Sequence, residues 1–237
     1  MKGMLVRVGI DQTEDSGGWN SPVFGETGEF CYVPIREEQV SRLRQGLARY
    51  YDELDGPLRQ FRAALPGDLR EEPMHLDPDF GHLTYGDQWR KGRQVAELSP
   101  GDLIAFYAGM QETWNIGPRR LFYGLIGLYI VQDVVKAKDV PEPDWPNNAH
   151  TRREPKDDDI IVRAKEGESG RLPRAIRIGE YRDKAYRVTR DLLEEWGHLS
   201  VKDGFLTRNG TIPWFKNAER FYDWFKRQDY ELVQSNW

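Results

Sequence analysis

The chain has 237 residues, 38% of them apolar and 12% aromatic, with 34 Lys plus Arg against 39 Asp plus Glu for a formal net charge of −5. That length suits one large domain or two small ones sharing a core, the aromatic content excludes a disordered tail, and the charge excludes a wholesale basic coat for nucleic acid. The single Cys31 excludes an internal disulfide framework, redox chemistry through a thiol pair and any multi-cysteine zinc site, which leaves His and carboxylates as possible ligands for a divalent metal.

In chain order, Met4 to Ile10 is a β-rich run that ends on Asp11, so the first strand delivers a carboxylate at its tip. A Gly-rich loop, 12–29, follows without a GxGxxG pattern or a Walker lysine, so no nucleotide-phosphate fingerprint is present. Phe30 to Ile35 reads as a second strand. From Glu37, the spacing of Val40, Leu43, Leu47, Tyr50 and Leu54 predicts an amphipathic helix, broken at Asp55-Gly56-Pro57.

Pro73 to Gln88 has no amphipathic period and is dense in His, Asp and Gly, which predicts an ordered, functional loop. Leu103 to Met110 and Leu121 to Val135 form the best β-hairpin pair, joined by the polar 111–120 connection. The 136–158 segment is a Pro- and Asn-rich connection, and strands are expected over Asp159 to Ala164 and Ala175 to Ile178. A short helix over Asp191 to Trp196, with Thr189 as cap and Gly197 as stop, precedes an Asn209-Gly210 turn and a last helix beginning near Pro213. The expected whole is a single α+β domain, 1–237, with a curved mixed or antiparallel sheet flanked by helices. No apolar run is long enough for a membrane span and the first ten residues lack a signal core, so the expected address is the cytoplasm.

The densest chemistry lies in the loop carrying His75, Asp77, Asp79, His82, Tyr85 and Asp87. Imidazoles and carboxylates this close either hold a divalent ion or pair so that one carboxylate stays ionised while a His exchanges a proton. Taken singly, each Asp serves equally well as a turn or cap residue. Asp11 has the same two readings, as a ligand acceptor at the sheet rim or as an anchor for its own loop.

Trp19, Trp89, Trp114 and Trp145 lie in polar, turn-rich contexts, and indoles presented from loops either stack on nucleobases or act as lids on a core. Asn20 adjoins the first of them. His150-Thr151-Arg152-Arg153 sets two guanidinium groups beside an imidazole on what reads as a flexible segment, suited to phosphate. Between Arg171 and Arg190 seven basic residues, Arg177 among them, stand against two acidic ones and could extend that track. Cys31 and His198 read as packing residues.

Val8-Gly9-Ile10-Asp11-Gln12-Thr13, Gly17-Gly18-Trp19-Asn20, Gly28-Glu29-Phe30 with Tyr32-Val33-Pro34-Ile35, His75-Leu76-Asp77-Pro78-Asp79-Phe80, Thr84-Tyr85-Gly86-Asp87 and Gly101-Asp102-Leu103 resemble the nucleotide-modification-associated domain family of the third type, over most of the first 130 residues. The resemblance implies an association with DNA or nucleotide modification systems and supplies no catalytic residue. Separately, residues 100–107 followed by 125–129 resemble the paired strands of PUA-like domains of the EVE and ASCH groups, which implies a small β-barrel that holds RNA or a modified base.

The expectation is therefore a protein that recognises, and in one version processes, a nucleobase or modified nucleotide in DNA or RNA. Asp11, His75, Asp77, Asp79, His82 and Tyr85 are the candidate chemical residues. Trp19, Asn20, Trp89, His150, Arg152, Arg153 and Arg177 are the candidate nucleic-acid contacts. Two alternatives stand beside it: a metal-assisted hydrolase or nuclease using the same carboxylates and imidazoles, and a non-catalytic reader of modified bases.

Overall fold

A computed structural model describes residues 1–12, 18–113, 121–206 and 211–237. Trp114, the Asn209-Gly210 turn, the start of the Gly-rich loop at 13–17 and most of the 111–120 connection lie outside the described residues.

The centre is the expected hairpin, longer than its apolar runs suggested. Strand β6 (Leu103–Thr113) pairs antiparallel with β7 (Leu121–Lys136). Strands β1 (Gly3–Arg7) and β2 (Ser21–Phe24) both run parallel to β6, on successive halves of its free edge. The outer edge of β7 is shared in the same way: β9 (Gly170–Arg177) pairs with residues 124–128 and β8 (Ile160–Ala164) with residues 131–136. Strand β5 (Thr84–Asp87) completes a seven-stranded mixed sheet by pairing antiparallel with β8. Among the described residues the sheet does not close into the small barrel that the PUA-like resemblance implies.

Strand periodicity buries both faces. Met4, Val6, Ile104 and Phe106 point to one core and Leu5, Leu103 and Ala105 to the other. The second core is covered by helices α4 (Arg190–Trp196) and α5 (Ala218–Arg227) through Trp196, Phe221 and Trp224. Gly197 ends α4 at φ 74°, a conformation only glycine adopts at no cost. Thr189 makes no side-chain cap bond there. Helix α5 begins after Asn217, whose side chain accepts from Arg220 N–H, and not at Pro213; Pro213 O instead accepts from Leu5 N–H and covers the edge of β1.

The helix expected from Glu37 is absent. Val40–Arg42 and Tyr51–Leu54 are single 3-10 turns, followed by the short helix α1 (Asp55–Arg59) and, after β5, by α2 (Trp89–Val95). Gly46 sits at φ 77° in the middle of the pattern, and the chain around it pairs with the 152–154 backbone: Arg44 N–H donates to Arg152 O and Glu154 N–H to Arg42 O. Tertiary pairing overrides a period interrupted by glycine. No regular strand forms over 30–34, where Phe30 makes an isolated bridge to Val23; the ladder is confined to β3 (Ile35–Arg36), which pairs antiparallel with β4 (Met74–His75). The 136–158 connection folds into 3-10 turns and a four-residue helix, α3 (Ala149–Arg152), whose residues are buried. The expected flexible basic segment is thus an interior element.

Candidate functional site

A cavity of about 200 Å³ lies along the edge of β1, between Arg7, the segment from His75 to Asp77, β5, and His150 of α3. Each of its functional side chains is fixed by a specific local device. Tyr32 donates its hydroxyl to the Asp77 carbonyl at 2.7 Å, which holds the backbone there. Gly86 N–H donates to both carboxylate oxygens of Asp77, at 3.0 and 2.8 Å. Asn148 caps α3 by accepting from His150 N–H, and so aims the imidazole at Asp77.

Three donor atoms meet at the cavity: His75 Nε2, Asp77 Oδ2 and His150 Nε2, all within 4.8 Å of one another. Asp77 Oδ2 lies 3.9 Å from His75 Nε2 and 3.4 Å from His150 Nε2. Ligands about 2.0–2.2 Å from a tetrahedral ion sit about 3.4 Å apart, a separation that Asp77 and His150 match and that His75, at 3.9 Å from Asp77, reaches by a small inward shift; the two-nitrogen, one-oxygen donor set suits a divalent cation of the Zn²⁺, Fe²⁺ or Mn²⁺ type. The opposite nitrogens are held by carboxylates: His75 Nδ1 lies 2.7 Å from Glu37 Oε2, and His150 Nδ1 lies 2.9 Å from Asp159 Oδ1. Such imidazole–carboxylate pairs fix ring orientation and raise ligand basicity in metal centres.

Arg153 ties the two supports together, with Nη1 3.3 Å from Glu37 and Nη2 3.4 Å from Asp159. Its Nη2 also sits 2.9 Å from His150 Nδ1. A guanidinium has no lone pair, so Asp159 Oδ1 is the acceptor that both nitrogens can share.

Burial and these contacts set the charges. Burial pushes the Asp77 carboxyl up, against the pull of His150, His75 and the Gly86 amide. Burial also works against ionised Glu37, but the His75 hydrogen bond, the Arg153 charge and the Gln39 amide outweigh it and hold that carboxyl at about 2. His150 shows the same contest: burial disfavours its cation, while hydrogen bonds to Asp159 and Asp77 bring it up to about 9. The Tyr85 phenol is pushed well up by burial and by Asp87 and Asp77, and donates to Asp87 Oδ2 at 2.7 Å.

The structure brings together only part of the predicted set. His75, Asp77, Tyr85 and His150 line the cavity. Asp11 joins it indirectly, since its carboxylate accepts from Arg7 Nη2 at 3.1 Å. Asp79 is fully buried and closes its own turn, accepting from the amides of Gly81 and His82, from Asn236 and from Arg152. His82 pairs with Asp79 at 3.0 Å and opens on a separate cavity beside Thr84. Arg152 and Arg153 are 3% and 2% exposed, so both guanidiniums face internal carboxylates.

Among the predicted aromatic and basic contacts, Trp19 and Asn20 line a second cavity of about 650 Å³ with Phe61, and Asn20 Nδ2 donates to Gly109 O at 3.0 Å. Trp89 is 57% exposed beneath Lys156, Trp145 is covered by Arg44, and Arg177 pairs with Glu112 while lying over Phe122. Glu37, Asp159, Arg7 and Tyr107 were not anticipated. In sequence the two carboxylates are indistinguishable from solvated surface charge, and only the fold shows Glu37 facing His75 and Arg153 in the interior.

Among the described residues no helix is long and apolar enough to cross a membrane. No curated protein and no solved structure matches the chain. The family model described as nucleotide modification associated domain 3 matches residues 2–233, nearly the whole length. The sheet, the His-Asp loop and the cavity between them all fall inside that span, and the chain belongs to the nucleotide modification associated domain 3 family.

Proposed function

We propose that the protein processes a nucleobase or nucleotide of DNA or RNA with the help of a divalent cation held by His75, Asp77 and His150. The observation that carries the reading is the convergence of two imidazole nitrogens and a carboxylate oxygen on one small cavity, each ring backed by a buried carboxylate. Membership of a nucleotide-modification family supports the substrate class. A cation in this N, N, O set supplies Lewis acidity and an activated water.

The protein's own groups position and exclude. Gly86 and Tyr32 hold Asp77, Glu37 and Asp159 orient the rings, and Tyr85 lines the cavity, keeps its proton and donates a hydrogen bond to Asp87. Asp11 acts through Arg7 as a positioning residue. Asp79 and His82 shape the loop that carries Asp77, together with Asn236.

The test is incubation of the purified protein with Mn²⁺, Fe²⁺ or Zn²⁺ and plain or modified oligonucleotides, followed by mass spectrometry of the digested nucleosides. The expected result is a cation-dependent mass change that disappears with Asp77→Asn. Unaltered substrate combined with base-dependent binding would overturn the enzymatic reading in favour of a non-catalytic reader.

A further inference from the structure

We propose that the part of the same cavity lined by Arg7, Lys91 and Tyr107 is an oxyanion subsite that takes a phosphoryl group of the substrate. This rests on the assignment of the cavity to nucleotide chemistry and specifies which part of the nucleotide enters it.

The first observation is Tyr107. It is 1% exposed, lines the cavity, and its hydroxyl has no hydrogen-bond partner among the described residues. A buried hydroxyl without a partner is destabilising, and buried polar atoms are satisfied almost everywhere in folded proteins. An orphan O–H on a cavity wall is accounted for by an acceptor that arrives with the ligand.

The second observation is charge. Lys91 lines the cavity and has no carboxylate within ion-pair distance among the described residues. Arg7 lies close enough to Tyr107 for its charge to favour ionisation of the phenol, against the dominant effect of burial. The guanidinium is held in place by Asp11 at 3.1 Å and by the face of Tyr123, 5.3 Å away.

Two carboxylates line the same cavity and both are engaged: Asp87 by the Tyr85 hydroxyl and the Gln88 amide, and Asp77 by the Gly86 amide. A neutral donor in a cavity that also holds Lys91 and the Arg7 guanidinium, the latter paired with Asp11, suits an acceptor-only anionic group. At about 200 Å³ the cavity is smaller than the roughly 300–1,000 Å³ that encloses a whole ligand, so only part of a nucleotide fits. A phosphoryl group between the subsite and the His75–Asp77–His150 donors satisfies both.

The phosphate could come from a free mononucleotide or from the end of a strand. The test is calorimetric titration of the full chain, in EDTA and again in Mn²⁺, with deoxynucleoside 5′-monophosphates against the parent nucleosides and with a 5′-phosphorylated tetranucleotide against its 5′-hydroxyl form. In EDTA, at least one phosphorylated probe should bind about tenfold or more tighter than its unphosphorylated partner, as charge-assisted hydrogen bonds give. Lys91→Gln and Tyr107→Phe should each remove most of that preference without changing Mn²⁺ uptake. The monophosphate arm identifies a free nucleotide and the tetranucleotide arm a strand end. Equal affinity for phosphorylated and unphosphorylated probes in both arms, or a preference untouched by both variants, overturns the subsite. Absence of Mn²⁺ binding by the unmodified protein would instead overturn the cation reading and leave the EDTA titrations as the test of the subsite.

Discussion

Arg153→Met is the most informative single perturbation of the site's support. The guanidinium is 2% exposed and spans Glu37 and Asp159, whose side chains are 2% and 0% exposed. Methionine keeps much of the volume and removes the charge, which leaves two buried carboxylates without their common cation. Removing one partner of a buried ion pair costs about 3–5 kcal/mol, because the other charge stays desolvated. That is a large share of the about 5–15 kcal/mol that stabilises a typical domain. For a chain of this size it lowers the melting temperature by about 6–20 °C.

The assay is urea denaturation of the single variant, of Glu37→Gln and of the double variant. If the penalty comes from a stranded carboxylate, Glu37→Gln should recover a large part of the Arg153→Met loss in the cycle. A loss below about 1 kcal/mol, or strictly additive losses, would refute the reasoning.

Gly86→Ala should leave the fold intact and weaken Mn²⁺ binding at least about tenfold. A Cβ there would lie 2.5 Å from His150 Cδ2 and 3.1 Å from Asn148 Oδ1, so the ring must move off Asp77; unchanged calorimetric affinity would contradict this. Phe80→Ala should destabilise by about 3–5 kcal/mol in chemical denaturation, because the ring is fully buried against Tyr32, Phe106 and Tyr129. Cys31 should not react with a disulfide reagent at pH 8 in the native protein and should react fully in denaturant. Burial pushes its thiol up to about 12 despite the nearby Arg171, so the neutral form persists until pH rises towards that value; rapid native labelling would contradict the burial.

The hairpin of β6 and β7 was legible because long apolar runs bounded by a polar connection have few other homes. The helix α4 was legible from its Gly197 stop. The Glu37 helix misled because its five apolar residues are spaced correctly while Gly46 and a distant backbone decide the outcome, and neither effect is visible in a period. His75 and Asp77 could be found as a dense polar loop. His150 was also singled out, but as a surface group beside two phosphate-binding arginines. The arginines are in fact the internal counter-ions of Asp79, Glu37 and Asp159, a role set by burial that local charge does not reveal. Gly86 stood in a recognisable motif, yet its reason, the His150 ring at its Cα, exists only in three dimensions.

Metal analysis of the purified protein, with calorimetric titration by Mn²⁺ and Zn²⁺ after stripping, probes the His75–Asp77–His150 centre most directly. One divalent ion per chain is expected, with binding abolished by Asp77→Asn and by His150→Ala while both variants keep the native circular dichroism. No uptake by the unmodified protein, or uptake that both variants retain, would contradict the assignment.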